Sequence, residues 1–420
     1  MPMLWCLSLL VITTGIAHLR WRSLRPSPPI LVAIAGTWMT VGIASSWAQG
    51  VLPDGALSRI TLARPLDDAI TLILLFCAIF NAGFALVGPR RLDMTTPQVF
   101  RLSKRHAWPA LALAAVCLGL RVLLGGTIDR YSVQAASQAS SGYIAYFPHI
   151  AASLALVVLA GSRRESRLTK TAGFALFATA MLIFWVSGVR FIFIGYLVAF
   201  GCLFVYRRRQ NFRFPVSTLA VGSMTVVVLL GLMGNLRAGP DASYLTPTQR
   251  AVVATEVLST SAAGMRVADR TGFLHGATYL DLLTQPIPRA LWPDKPQPQL
   301  RAFLSSFTDP RDGRAIGAPV EVYVNFGWLG TALAALLLGL GMGFAVRSLI
   351  VHFRNSAGAM AYALLCILLL NAFYRGYLVA TVYQSVAVML PMLLLARKRR
   401  QTPDEVIPDI PLQPTQTPTG

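Results

Sequence analysis

The chain has 420 residues, of which 55% are hydrophobic and only 13% charged, and its mean hydropathy is +0.58. An ordinary soluble domain carries about 25% charged residues, so this composition excludes a soluble enzyme, a disordered protein and a nucleic-acid-binding domain. The formal net charge of +20 has to be read from where the charges lie, and their placement marks membrane topology.

The apolar residues fall into blocks of about 17 to 23, the length that crosses a bilayer core as a helix. Eleven spans are predicted, over 3–19, 30–52, 69–88, 108–125, 143–161, 171–188, 190–206, 215–234, 327–346, 357–373 and 377–396. Helices are the expected form, because a backbone in hydrocarbon must satisfy its own hydrogen bonds. Val186-Ser187-Gly188 offers a tight outside turn between 171–188 and 190–206, which could also form one bent unit. The expected fold is an all-α polytopic membrane protein of about 11 transmembrane helices. The predicted parts are helices 1–8 over 1–234, a large extracytoplasmic loop over 235–326, helices 9–11 over 327–396, and a disordered cytoplasmic tail over 397–420.

Six basic clusters hold 22 of the 37 Lys and Arg residues, and they fall at every second connector. They lie around Arg20–Arg25, Arg90–Arg105, Arg163–Lys170, Arg207–Arg213, Arg347–Arg354 and Arg397–Arg400. Positive clusters stay cytoplasmic, which predicts an N-terminus outside and a C-terminus inside. No basic residue precedes the first apolar stretch, so it reads as a retained helix and not a cleaved signal. Cys6, Cys77, Cys117, Cys202 and Cys366 all lie inside apolar blocks, which predicts buried free thiols and no disulfide or zinc site.

The outside segment 235–326 is too long for a simple connector. It holds eight of the 17 acidic residues and nine basic ones. Thr246-Pro247-Thr248-Gln249 has the signals of a helix start, and a helix is predicted over 247–268. A second is predicted over 276–284. Five prolines in 286–298 then predict a stiff, non-helical stretch, followed by a short amphipathic piece over 299–307.

Chemistry is sought among the cations near the outer membrane edge: Arg121, Arg190, Arg237, Arg289, Lys295 and Arg375. Charge within a span is costly and marks function more often than elsewhere. Arginine is always charged and grips phosphate with two donors, so these residues suit a phosphorylated or pyrophosphorylated lipid head group. Interfacial snorkelling is the alternative reading. Arg289 and Lys295 flank Trp292 in the proline-braced stretch, and a stiff backbone fixes where two cations point. Trp292 would stack on a sugar or anchor the interface. Glu321 and Tyr323, just before the ninth span, offer a carboxylate as general base for a sugar hydroxyl; pairing with an arginine is the alternative. His275 and Asp241 are rival bases. His149 reads as a packed helix residue. Asp309-Pro-Arg-Asp-Gly-Arg314 reads as a surface turn. No metal and no other cofactor is expected.

The run Gly276-Ala-Thr-Tyr-Leu-Asp-Leu-Leu283, then Ile287-Pro-Arg-Ala-Leu-Trp-Pro-Asp-Lys-Pro296 and Glu321-Val-Tyr-Val-Asn-Phe-Gly-Trp-Leu-Gly330, resembles O-antigen polymerases of the Wzy type. So do Ser187-Gly-Val-Arg190 and Tyr374-Arg-Gly376. The resemblance covers about 180–380. In one respect the chain departs from it, since no acidic residue follows Arg375. The resemblance implies a glycosyltransferase of the GT-C type in the cytoplasmic (inner) membrane. Such an enzyme joins polyprenyl-pyrophosphate-linked oligosaccharide units on the outer, periplasmic face into a surface polysaccharide, such as the O-antigen of lipopolysaccharide. It implies Glu321 and Arg289 as catalytic residues, with Arg190, Lys295, Arg375, Arg121, Arg237, Trp292 and Tyr323 around the pyrophosphate and sugar. The implied partners are the bilayer, the lipid-linked oligosaccharide as donor and acceptor, and a chain-length regulator; nucleic acid is not among them. A glycan ligase would share the span count and the long loop. A lipid-linked oligosaccharide flippase would need more charge through the bilayer centre, and a secretion scaffold would not need the braced cations.

Overall fold

The computed structural model describes residues 2–21, 27–37, 63–88, 100, 102, 104–124, 144–161, 166–187, 190–209, 257–284, 287, 292–306, 316–352, 356–375 and 378–397. Among these the secondary structure is helical, with no strand. The helices are α1 (Pro2–Arg20), α2 (Pro28–Thr37), α3 (Ala63–Val87), α4 (Lys104–Leu124), α5 (Phe147–Gly161), α6 (Arg167–Val186), α7 (Arg190–Arg209), α8 (Val257–Thr271), α9 (Ala277–Thr284), α10 (Gln299–Ser305), α11 (Ala318–His352), α12 (Ser356–Arg375) and α13 (Leu378–Arg397). A 3-10 turn, Ile144–Tyr146, leads into α5. The predicted span 215–234, the start of the predicted helix 247–268, Asp241, the Asp309–Arg314 turn and the tail 398–420 lie outside the described residues.

Six of the helices, α1, α3, α4, α6, α11 and α13, are long and apolar enough to cross a membrane. Apolar helices stop where charge returns: α1 at Arg20, the shorter α7 at Arg209 and α13 at Arg397. The predicted spans 171–188 and 190–206 are separate helices, α6 and α7, and α6 is closed by the Ser187 N–H donating to the Ile183 carbonyl at 2.9 Å. Helix α6 begins before its predicted start because Ser166 caps it, its hydroxyl accepting from the Thr169 N–H at 3.3 Å.

Two apolar clusters organise the bundle. One joins α1, α2, α3, α8, α10 and α11; the other joins α4, α5, α6, α7 and α13. Helix α12 belongs to both, and α11 reaches the second through Leu349. Phe373, Cys366 and Tyr362 pack into the first, and Met360, Leu364 and Leu368 into the second. A helix apolar on all sides is a core helix, and α12 fills that place. All five cysteines are free thiols, and Cys77, Cys117 and Cys366 are buried.

Within a membrane, helices associate through close packing and polar contacts because lipid is as apolar as leucine. Both devices occur around α3. Asn81, fully buried, donates to Thr14 Oγ1 at 2.9 Å and to the Pro29 carbonyl at 3.2 Å, tying α1 and α2 to α3. Against α11 the contact is backbone to backbone. A Cβ added at Gly339 would lie 2.2 Å from the Phe80 carbonyl oxygen, and one at Gly83 would lie 2.6 Å from that of Leu336. Gly339 and Gly343 form a small-xxx-small pair on α11. Neither carbonyl can move without shifting its helix, so Gly339→Ala is expected to cost about 1–3 kcal/mol as overpacking does. The loss should appear as a lower melting temperature of the detergent-purified protein, with Gly341→Ala, which meets nothing within 4 Å, as the unaffected control.

Candidate functional site

Helix α11 starts well before the predicted span at 327. Gly317 accepts from the N–H groups of Val320 and Glu321 at 2.9 and 3.1 Å. Pro319 sits in the first turn, where its missing N–H costs nothing. The helix then breaks at Gly327, whose φ of 67° and ψ of −163° belong to a region essentially open only to glycine. The segment 318–326 is thus a short helix set on top of the span, and its carbonyl end has to be capped from elsewhere.

The cap comes from the loop after α8. The Leu274 and His275 N–H groups donate to the Val324 and Asn325 carbonyls, both at 3.0 Å. Positive φ at His275 (48°) and Gly276 (86°) turns the chain there. The Asn325 side chain closes the junction. Its Oδ1 accepts from the Gly276 N–H at 3.0 Å, and its Nδ2 donates to Thr278 Oγ1 and to the Glu321 carbonyl, each at 2.8 Å. Asn325 is fully buried. Asn325→Leu fills the volume but leaves these groups without partners, at about 1–3 kcal/mol. Limited proteolysis of the 272–284 region should speed up in that variant relative to Asn325→Asp, which retains the acceptor for Gly276.

Glu321 lies one turn below Asn325 and is 0% exposed. Its Oε2 accepts from the Leu378 N–H, the first of α13, at 2.7 Å. A carboxylate there satisfies a donor that the helix leaves open and meets the positive end of its dipole. Its Oε1 is buried and has no hydrogen-bond partner among the described residues. Burial opposes a charge on Glu321, as does the Asp281 carboxylate, whereas the Leu378 N–H and the Thr278 hydroxyl favour it. Burial, and after it the charge of Glu321, pushes the Tyr279 phenol up, which keeps Tyr279 a neutral hydroxyl. The Tyr279 ring stacks on Phe326 at 5.8 Å.

Three chain segments therefore meet at one carboxylate: the loop helix α9, the short helix before Gly327, and the first turn of α13. Arg375 ends α12 three residues before Leu378, so its Cα lies within about 11 Å of that residue's Cα. Glu321 and Arg375, far apart in sequence, are brought to one end of the bundle.

The other predicted residues distribute differently. Tyr323 is buried and donates its hydroxyl to Asp269 Oδ1 at 2.7 Å, which ties α11 to α8. Lys295 donates to the Ile287 carbonyl at 3.1 Å, just past the end of α9. Trp292 is 36% exposed, in a non-helical stretch that keeps its predicted character over 292–298. Arg121 is buried near the end of α4. Arg190 begins α7; its side chain, like that of Arg375, and the whole of Arg289 and Arg237 lie outside the described residues. His275 is exposed and contributes its backbone. His149 is buried in α5, as its sequence context suggests.

Sequence reasoning missed Asn325, Thr278 and Asp281. Asp281 accepts the Gln299 N–H at 2.9 Å and so caps α10. It also missed a string of polar side chains inside the bundle. Asn371 donates to Gln384 at 3.0 Å, Gln384 Nε2 meets His149 Nε2 at 3.4 Å, Tyr196 donates to the His149 carbonyl at 2.9 Å, and Ser153 lies 3.0 Å from the Tyr196 hydroxyl. The string links α5, α7, α12 and α13. Tyr383, next to Gln384, donates to the Leu282 carbonyl of α9.

These features define a multi-pass helical membrane protein with a buried carboxylate where a helical loop meets its bundle. Comparison with models of protein families, with curated proteins and with solved structures finds no match to this chain.

Proposed function

We propose that the protein is a membrane glycosyltransferase of the GT-C type that polymerises polyprenyl-pyrophosphate-linked oligosaccharide units on the outer face of the cytoplasmic membrane. The observation that carries this reading is Glu321. It is a carboxylate kept out of water, held by one oxygen on the Leu378 N–H and attended by the Thr278 hydroxyl, with Oε1 making no hydrogen bond of ordinary geometry among the described residues. A general base needs an oxygen within reach of the proton it takes. In this reading Glu321 takes the proton of the acceptor hydroxyl, which attacks the anomeric carbon with inversion. Arg190, Arg289, Lys295 and Arg375 stabilise the departing pyrophosphate as fixed cations. Arg121, Arg237, Trp292 and Tyr323 line or support the pocket for sugar and carrier. The N-terminus lies outside and the C-terminus in the cytoplasm.

The test is deletion of the gene followed by sizing of the surface glycan and of the lipid-linked oligosaccharide. Loss of long chains with single repeat units still reaching the surface is expected. Arg289→Ala should reproduce that phenotype at normal protein abundance. Accumulation of long lipid-linked polymer would instead make the protein a ligase, and accumulation of single units on the cytoplasmic face a flippase. An unchanged glycan would refute all three.

A further inference from the structure

Helix α9 is inside out for a helix on a water-exposed loop. Its acidic residue, Asp281, is buried and holds α10, whereas Leu280 and Leu283 are 62% and 73% exposed. Ile287 and Trp292, just beyond it, are also exposed. Water does not stabilise such an arrangement; about 25 cal/mol per Å² of apolar surface favours covering it.

Its depth along the bundle explains the pattern. The Leu282 carbonyl accepts from the Tyr383 hydroxyl. Tyr383 lies five residues into α13, about 7.5 Å from Leu378 at 1.5 Å per residue. The apolar part of α13, Leu378–Leu395, is 18 residues long. That is about 27 Å, against about 30 Å of hydrocarbon, so Tyr383 has no room to stand clear of the bilayer. Helix α9 is held at the same level. Its surface also continues that of a span. Tyr279, one turn from Leu283, stacks on Phe326, and Phe326 lies over Gly330. Leu333 and Leu337 follow Gly330 at helical spacing and are 56% and 57% exposed, a stripe that faces lipid on a membrane helix.

We infer that α9 is a membrane-interface helix whose Leu280 and Leu283 insert among the lipid acyl chains of the leaflet on its side, so that the Glu321 junction lies at the membrane surface with lipid beside it. The inference does not depend on the reaction proposed above. A lipid-borne substrate would reach such a site sideways from the leaflet, whatever is done to it there.

The test places a bimane fluorophore on Leu283→Cys, and separately on Leu280→Cys, in the full-length protein with its own five cysteines replaced. The protein is reconstituted in phosphatidylcholine–phosphatidylglycerol vesicles. Leu333→Cys is the lipid-facing reference and Thr271→Cys, exposed at the end of α8, the loop reference. Lipid spin-labelled near the glycerol end of its acyl chain should quench both α9 positions several-fold more than aqueous iodide does, as at position 333. Preferential iodide quenching, as at position 271, would overturn the inference. Shielding from both quenchers would overturn it too, because a protein partner or a second copy would then cover the face. Only variants that elute as a single species with native melting are scored, and the two positions provide independent readings.

Discussion

Glu321→Gln is expected to lower the rate of polymer formation by a factor of about 10²–10⁴, the usual contribution of a positioned general base. The amide keeps an oxygen for the Leu378 N–H, which Glu321 now caps at 2.7 Å, so the first turn of α13 stays satisfied. What is lost is the negative charge and the capacity to take a proton. Glu321→Ala is a different change, because it removes the cap as well and opens a void under Asn325. The glutamine variant should therefore melt close to the parent and make no long chains, whereas the alanine variant should be both inactive and less stable. Purified protein given lipid-linked repeat units, with product length read on a gel, checks the first point; a thermal melt in detergent checks the second. Long chains made by Glu321→Gln at the parental rate would remove Glu321 from the chemistry and leave it a capping residue.

Gly327→Val should have the largest effect on folding. The residue's φ of 67° and ψ of −163° cost a β-branched side chain about 1–3 kcal/mol. An added Cβ would also lie 3.2 Å from the Phe273 ring, and displacing that ring costs about 1–3 kcal/mol more. The chain can avoid the strain by straightening α11, but the Val324 and Asn325 carbonyls would then turn back into the helix and release Leu274 and His275. Either way the loop loses its anchor. Poor yield, or a folded protein without activity and with fast proteolysis near residue 275, is the expected outcome. A valine variant with parental melting and activity would mean that the kink is dispensable.

Most of the helices were legible because an apolar block of the right length has few alternatives to spanning as a helix. The described helices coincide with ten of the eleven predicted spans, wholly or in part; the other, 215–234, lies outside the described residues. The loop helices were legible in part, since α9 and α10 lie within a residue or two of their predicted limits. The start of α11 was not. Valines alternating with Glu321, Tyr323 and Asn325 look like an extended approach to the membrane, whereas helical spacing places Glu321 and Asn325 on one face. Reading that period would have found Asn325. The meeting of Glu321 with Leu378 could not be read at all, because a backbone N–H carries no mark in the sequence and the two are 57 residues apart. The cations named from sequence were chosen by charge and chain position. Of them, only Arg121 and Lys295 have described side chains, and Lys295 is engaged by the backbone of its own loop.

The polar string through Asn371, Gln384, His149, Tyr196 and Ser153 also fixes the heights of four helices relative to one another. Leucine faces tolerate sliding, since one apolar contact replaces another. Amide and hydroxyl pairs do not, because a shift of one turn, about 5.4 Å, would strand each of them in hydrocarbon at several kcal/mol apiece. Helix α13 is thus pinned vertically close to the point where its first N–H meets Glu321. The last hairpin of the bundle is a fixed post, and any movement that admits or releases a large substrate must fall on the loop that leans against it.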